Sequence, residues 1–152
     1  MKRQAFTLVE LLIVVVLMSI LSATGITVYI DSAKDAKVQQ TAQTLLTVQR
    51  AIHVSRLHHG VWPLGSGTDV TVLDEFVGAS FMKSEPPIGG SWFYAGSESA
   101  GRPYIYLLIL FVVDPPADEF QRIDALIDDG VLTSGRVVRF KNNLLYIVKN
   151  GI

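Results

Sequence analysis

The feature that most constrains this chain is an apolar run from Phe6 to Ile30 that contains one ionisable side chain, Glu10. From Leu11 to Ile30 no residue is charged. Twenty helical residues rise about 30 Å, which is the thickness of the hydrocarbon core of a bilayer. The run therefore predicts a helix that can cross a membrane, and it leaves about 120 residues for one small domain.

The charges on either side of the run predict the direction of crossing. Lys2 and Arg3 precede it, whereas the far side balances two lysines against two aspartates between Asp31 and Lys37. Because positively charged flanks stay in the cytoplasm, the short leader should remain inside and the rest of the chain should be exported.

A formal net charge of −1 argues against binding nucleic acid through its phosphates. The absence of cysteine excludes disulfides, thiolate metal sites and cysteine nucleophiles.

Glu10 bears on what kind of membrane segment this is. An ionised, unpaired carboxylate four residues into an apolar helix is unfavourable by a few kcal/mol, less so near the interface. A plain anchor has no use for such a group, and Leu21-Ser22-Ala23 is a poor cleavage site for an ordinary signal peptide. From composition alone, an uncleaved anchor, a signal peptide that releases a soluble protein after residue 23, and a more specialised helix all stay open.

The residues around Glu10 carry a family resemblance. Residues 6–15, Phe-Thr-Leu-Val-Glu-Leu-Leu-Ile-Val-Val, resemble the signal of type IV pilins and type II secretion pseudopilins. The resemblance implies that prepilin peptidase cuts between Ala5 and Phe6, that the new amino group of Phe6 is methylated, and that the helix is kept. It also implies that Glu10 pairs with the Phe6 amine of a neighbouring subunit during filament assembly. The residue before the cut is normally glycine in this family, and here it is Ala5.

The same resemblance implies a structural role and no enzymatic activity or cofactor. The chain would be a subunit of a type IV pilus or a type II secretion pseudopilus, with its head in the periplasm and its helix in the inner membrane before assembly. Its partners would be other pilin or pseudopilin subunits, prepilin peptidase, the inner-membrane assembly platform and membrane lipid, with no nucleic acid. The alternative is a membrane-anchored periplasmic binding module or enzyme with an uncleaved signal anchor.

The pattern after the apolar run predicts one helix that continues into the head. Neither Gly nor Pro occurs between Asp31 and Gly60, where Gly60 and Pro63 end the helix near His58. The predicted division is a leader at 1–5, a membrane or filament-core helix at 6–30 and a head at 31–152. An apolar stripe at spacings of three and four should face a sheet, and it comprises Val38, Ala42, Leu45, Val48 and Ile52.

The remaining segments predict an α+β head in which the long helix packs on a small antiparallel sheet, and the resemblance implies that this head is pilin-like. Residues 64–90 are mostly loop, with a short helix from Val72 to Val77. The predicted strands are an aromatic strand from Ser91, a buried central strand from Tyr104 to Val113, and a hairpin of residues 136–140 and 144–148. A further helix should start at residues 114–116, pass through Ile127 and end at Gly130.

Three aspartates, Asp124, Asp128 and Asp129, lie at the predicted C-terminus of that last helix. Carboxylates there face the negative end of the helix dipole, so a cation should compensate them. The candidates are Arg122 and Arg136 through ion pairs, or a bound Ca²⁺, which prefers clustered carboxylates. Some pseudopilins bind calcium in C-terminal loops, but this segment does not clearly match their motifs, so it is the clustering of the carboxylates that makes these aspartates calcium candidates.

Three histidines, His53, His58 and His59, invite a metal interpretation. Spacings of five and six residues do not place two imidazoles on one helical face, in contrast to the i, i+4 pair of helical zinc sites. The spacing therefore predicts solvated histidines near the end of the helix.

Overall fold

The computed structural model describes residues 7–68, 71–99, 102–110 and 117–150. Helix α1 spans Leu8–His59 without interruption, which confirms the prediction of one helix continuing past the apolar run. The chain divides into two compact units at Ala36 and Lys37. In the first unit, the described apolar side chains from Leu8 to Ile30 are exposed. A large exposed apolar surface of this kind is typical of a segment that contacts lipid or another protein.

The second unit is built on the apolar stripe of α1. The five side chains of the predicted stripe are between 0 and 4% exposed. They join one core with residues from the sheet and the other helices. The 3.6-residue period of this part of the helix thus identified the buried face correctly.

A five-stranded antiparallel sheet covers that face. Its strands are β1 (Gly65–Gly67), β2 (Ser91–Ser99), β3 (Arg102–Leu110), β4 (Val137–Phe140) and β5 (Asn143–Asn150). Their order in the sheet is β1-β2-β3-β5-β4, and each neighbouring pair is antiparallel. The long helix packed on this sheet confirms the predicted α+β fold.

Strand β3 is central, and its side chains alternate. Ile105, Leu107 and Ile109 are fully buried, whereas the residues between them are half-buried. The predicted continuation of this strand to Val113 lies outside the described residues.

The predicted loop at 64–90 omitted β1, a Gly-Ser-Gly segment that pairs with Tyr94, Ala95 and Gly96 of β2. Two of its three residues are glycine, so side-chain pattern could not identify it.

Two shorter helices complete the head. Helix α2 spans Asp74–Val77, within the predicted short helix, and helix α3 spans Ala117–Ile127. The predicted start of α3 at residues 114–116 lies outside the described residues. Phe120 and Ile123 bury one face of α3 in the core, and Gly130 follows the helix with a φ of 78°.

The segment after α1 is fixed by a buried hydrogen bond. Gly60 takes a φ of 74°, and its backbone N–H donates to the carbonyl of Arg56 at 2.8 Å. The chain then turns so that the hydroxyl of Tyr94 donates to the carbonyl of Pro63. Burial raises the pKa of Tyr94, so the hydroxyl stays a donor at all ordinary pH values. Gly96 makes room for this contact, because a Cβ there would lie 2.7 Å from the Pro63 oxygen.

We expect Tyr94→Phe to destabilise the head by about 1 kcal/mol, because the carbonyl of Pro63 loses a buried donor. Denaturant unfolding of the full chain in detergent micelles, followed by tryptophan fluorescence, measures this. Tyr104→Phe on the adjacent strand is the matched control, since that ring is only half-buried. Equal unfolding midpoints for the two variants would show that the hydrogen bond contributes nothing.

Candidate functional site

The first candidate site is the N-terminus of α1, where Thr7 and Glu10 cap the helix reciprocally. One carboxylate oxygen of Glu10, Oε2, accepts from the backbone N–H of Thr7 and from its hydroxyl, both at 2.9 Å. The backbone N–H of Glu10 donates to the hydroxyl oxygen of Thr7 at 3.3 Å. This arrangement is a capping box, in which an N-cap Thr and a Glu three residues later satisfy two otherwise unpaired helix donors.

The capping box gives Glu10 a structural role that the sequence analysis missed. The signal was present as Thr-x-x-Glu directly before an apolar run. The negative charge of Glu10 is also favourable at this place, because an anionic side chain in the first turn interacts with the positive end of the helix dipole. The other two predicted residues of this site, Ala5 and Phe6, lie outside the described residues.

The helix that follows this cap is the membrane candidate. Among the described residues, α1 is the one helix long and apolar enough to cross a bilayer, by length and composition. None of its most apolar window is buried within the protein. Glu10 thus lies at one end of an exposed apolar surface.

The second candidate site is the aspartate cluster at the end of α3. Asp124, Asp128 and Asp129 each bring a carboxylate oxygen within 4.8 Å of the other two. Asp124 is fully buried, and neither of its carboxylate oxygens has a hydrogen-bond partner among the described residues. Burial, and then the negative charges of Asp129 and Asp128, raise the pKa of Asp124 to about 6.

Backbone amides of the next loop hold the two exposed aspartates. The Oδ2 atom of Asp128 accepts from the N–H of Arg136 at 2.5 Å, and Oδ1 of Asp129 accepts from the N–H of Val131 at 2.8 Å. Gly135 has a φ of 79°, and a Cβ there would lie 1.9 Å from Oδ2 of Asp128. The loop therefore closes tightly over the cluster, and only glycine fits at that position.

The expected ion pair with Arg136 takes a different form. It is the backbone amide of Arg136 that binds Asp128, while its guanidinium donates to the hydroxyl of Tyr146 at 2.9 Å. That hydroxyl donates in turn to Gln49 of α1 at 2.6 Å. The guanidinium of Arg136 thus binds the buried Tyr146, which in turn contacts α1.

A third group forms where α1 ends. His53, His58 and His59 are all exposed, as the spacing predicted. Nε2 of His59 lies 3.3 Å from a carboxylate oxygen of Glu75 in α2, and Nδ1 of His58 lies 4.0 Å from the other oxygen. Glu75 was not identified from the sequence, since it comes from a separate helix sixteen residues after His59.

The first comparison with known proteins concerns the N-terminal segment of the chain. Residues 1–26 match the model of the prokaryotic N-terminal methylation motif. The chain is 36% identical over 59 residues to prepilin peptidase-dependent protein D of Escherichia coli K12. This match covers 39% of the chain and 40% of that protein, so the chain spans well under two thirds of the relative.

The fold has a counterpart among solved structures. The major type IV pilin PilA1 of Clostridium difficile matches with a TM-score of 0.55 over 79% of this chain and 98% of that one. At 13% identity, this likeness concerns the fold alone. The fold is thus similar to that of a type IV pilin. The methylation motif, the partial relative and the fold together support a pilin- or pseudopilin-like family for this chain.

Proposed function

We propose that this protein is a structural subunit of a type IV pilus or of a type II secretion pseudopilus. The observation that carries the proposal is the methylation motif at residues 1–26, which coincides with the capped start of an exposed apolar helix. Prepilin peptidase would cleave between Ala5 and Phe6, and Phe6 would then be methylated. The protein itself would catalyse nothing.

Glu10 would act in assembly through its charge. After cleavage, Phe6 carries a cationic amine one helical turn before Glu10. When helices leave the bilayer and pack into a filament core, the carboxylate and the amine of a neighbouring subunit can neutralise each other. A buried charge is tolerated when paired and strongly unfavourable when alone, so this pair would set the axial register of the subunits.

The membrane arrangement follows from the flanking charges. Lys2 and Arg3 would keep the leader in the cytoplasm, and the head, residues 31–152, would lie in the periplasm. The helix at 6–30 would lie among inner-membrane lipids before assembly. There the assembly platform and other pilin or pseudopilin subunits would meet it.

N-terminal processing tests the proposal directly. In a host with a prepilin peptidase, we expect membrane-derived protein to have lost residues 1–5 and to begin at methylated Phe6 by intact mass and N-terminal sequencing. The same host without the peptidase should yield an unprocessed chain. Ala5→Gly, which restores the usual residue before the cut, should be processed at least as fast as the wild type.

Two results would contradict this function. An intact Met1 in both hosts would indicate a plain signal anchor, consistent with an anchored binding module or enzyme. A start near Thr24 would indicate an ordinary signal peptide, and Glu10 would then be absent from the mature protein.

We also propose that Asp124, Asp128 and Asp129 bind Ca²⁺. The supporting observation is the buried carboxylate of Asp124, which has no partner in the described part of the chain and faces two other carboxylates. Oxygens that bind one Ca²⁺ at 2.3–2.6 Å are at most about 5 Å apart, so the spacing within the cluster fits this ion. The cation would offset three negative charges at the end of α3 and hold the loop from Val131 to Arg136.

A further inference from the structure

The last turn of α1 and the short helix α2 bring two imidazoles and a carboxylate together on the surface of the head. A ring nitrogen of His58, a ring nitrogen of His59 and a carboxylate oxygen of Glu75 all lie within 4.8 Å of one another. The shortest of these separations, His59 Nε2 to Glu75 Oε2, is 3.3 Å. Two ligands of one tetrahedral zinc ion at about 2.0–2.1 Å are about 3.4 Å apart, so this pair already has the required spacing.

The third ligand needs only side-chain movement. His58 Nδ1 lies 4.0 Å from Glu75 Oε1, and both side chains are more than half exposed. Exposed side chains change rotamer freely, so the separations that exceed about 3.4 Å can close without moving the backbone. Adjacent histidines do not share a helical face within a regular helix, but here the helix ends and Glu75 lies beside both rings.

An aromatic side chain of α2 lies beside both imidazole rings. Phe76 contacts both imidazoles edge-on, with centroid distances of 6.3 Å to His58 and 6.0 Å to His59. The two imidazole centroids are themselves 4.7 Å apart. Helix α2 thus places an aromatic ring and a carboxylate next to both histidines.

The electrostatics favour a cation at this place. The C-terminal end of a helix carries partial negative charge from unpaired carbonyls, and Glu75 adds a full negative charge. Neutral imidazole and carboxylate suit zinc and similar divalent transition metals, whereas Ca²⁺ prefers oxygen ligands alone. The chemistry of this cluster is therefore distinct from that of the aspartates at the end of α3.

We propose that His58, His59 and Glu75 form a surface site for a divalent transition metal of the zinc type. Three protein ligands leave a fourth position for water or for a ligand from a partner. The metal joins the end of α1 to α2 and so fixes the start of the long loop that precedes β2. This inference concerns the head alone and holds whether or not the chain assembles into a filament.

The test is zinc binding by the full chain, purified in detergent without a polyhistidine tag. Equilibrium dialysis against ZnCl₂ should give one zinc ion per chain in the presence of excess Ca²⁺, which competes with zinc for sites made of carboxylates alone. Co²⁺ in place of zinc should give the visible absorption of a tetrahedral site. His59→Ala and Glu75→Gln should each weaken zinc binding at least tenfold, because loss of even a group that only orients a metal ligand typically costs about 10- to 100-fold.

The matched control is His53→Ala, because His53 is an exposed histidine of the same helix that lies outside the cluster. It should bind zinc as the wild type does. Tryptophan fluorescence confirms that each variant is folded, since Trp92 is buried in the core. Zinc affinity that is unchanged in His59→Ala, or lost in Asp124→Asn, would overturn the proposal by placing the metal elsewhere.

Discussion

Replacing Glu10 with glutamine should leave the protein in the membrane with its helix intact but reduce its incorporation into filaments at least tenfold. Glutamine can still accept from the N–H and hydroxyl of Thr7, so the capping box survives. What it lacks is the negative charge. A Phe6 amine brought into the filament core would then be buried without its counter-charge, which costs about 3–5 kcal/mol per broken pair.

Two further variants separate the charge of Glu10 from its capping role. Thr7→Ala removes the hydroxyl of the capping box and costs about 1 kcal/mol of helix stability, but it keeps the carboxylate and should still assemble. Glu10→Val removes both functions and should fail to assemble. Incorporation is measured as the fraction of subunit in sheared filaments, relative to the fraction in membranes. Normal assembly of Glu10→Gln, together with failure of Thr7→Ala, would show that helix capping is the function of Glu10.

Much of the fold was predictable because its signals are local. The apolar stripe, which includes Leu45 and Ile52, follows from the period of the helix. The end of the helix follows from Gly60 and Pro63. Strand β1 and the order of the strands were not predictable in this way. They depend on pairing between segments far apart in the chain, such as Ser66 with Ala95.

The candidate sites likewise differ in whether they depend on local sequence or on contacts between distant segments. The Thr7–Glu10 capping box follows from the local pattern Thr-x-x-Glu before an apolar run, so the sequence alone contains it. The partnership of His59 with Glu75 depends on how the loop folds back, so no spacing rule along α1 reveals it. For Asp124, the sequence indicated an acidic helix end but not that the innermost carboxylate is fully buried.

Because Asp124 is buried, we expect the wild type and Asp124→Asn to differ in how their stability responds to Ca²⁺. In EDTA at pH 7.5, Asp124→Asn should be more stable than the wild type by about 1–3 kcal/mol, which corresponds to a melting temperature several degrees higher. The asparagine amide removes a buried charge and can donate to the neighbouring carboxylates. In millimolar Ca²⁺ the wild type should gain stability and Asp124→Asn should gain little, so the difference between them should shrink or reverse.

The pH dependence has the same origin and a definite sign. The pKa of Asp124 is raised from 3.8 to about 6 in the folded state, so the folded state binds the proton more tightly than the unfolded state does. In EDTA the wild type should therefore lose stability as the pH rises from about 4 to about 7, and then level off. Asp124→Asn should lack this component, because no proton is taken up at that position.

Asp118→Asn is the control that isolates the cluster. Asp118 is an exposed aspartate in the first turn of the same helix, where a negative charge is favourable. Its replacement should lower stability by less than about 1 kcal/mol and leave the response to Ca²⁺ unchanged. Lower stability of Asp124→Asn in EDTA would mean that the buried carboxylate is already compensated within the protein. An equal gain from Ca²⁺ in Asp124→Asn and the wild type would mean that the ion binds at another place.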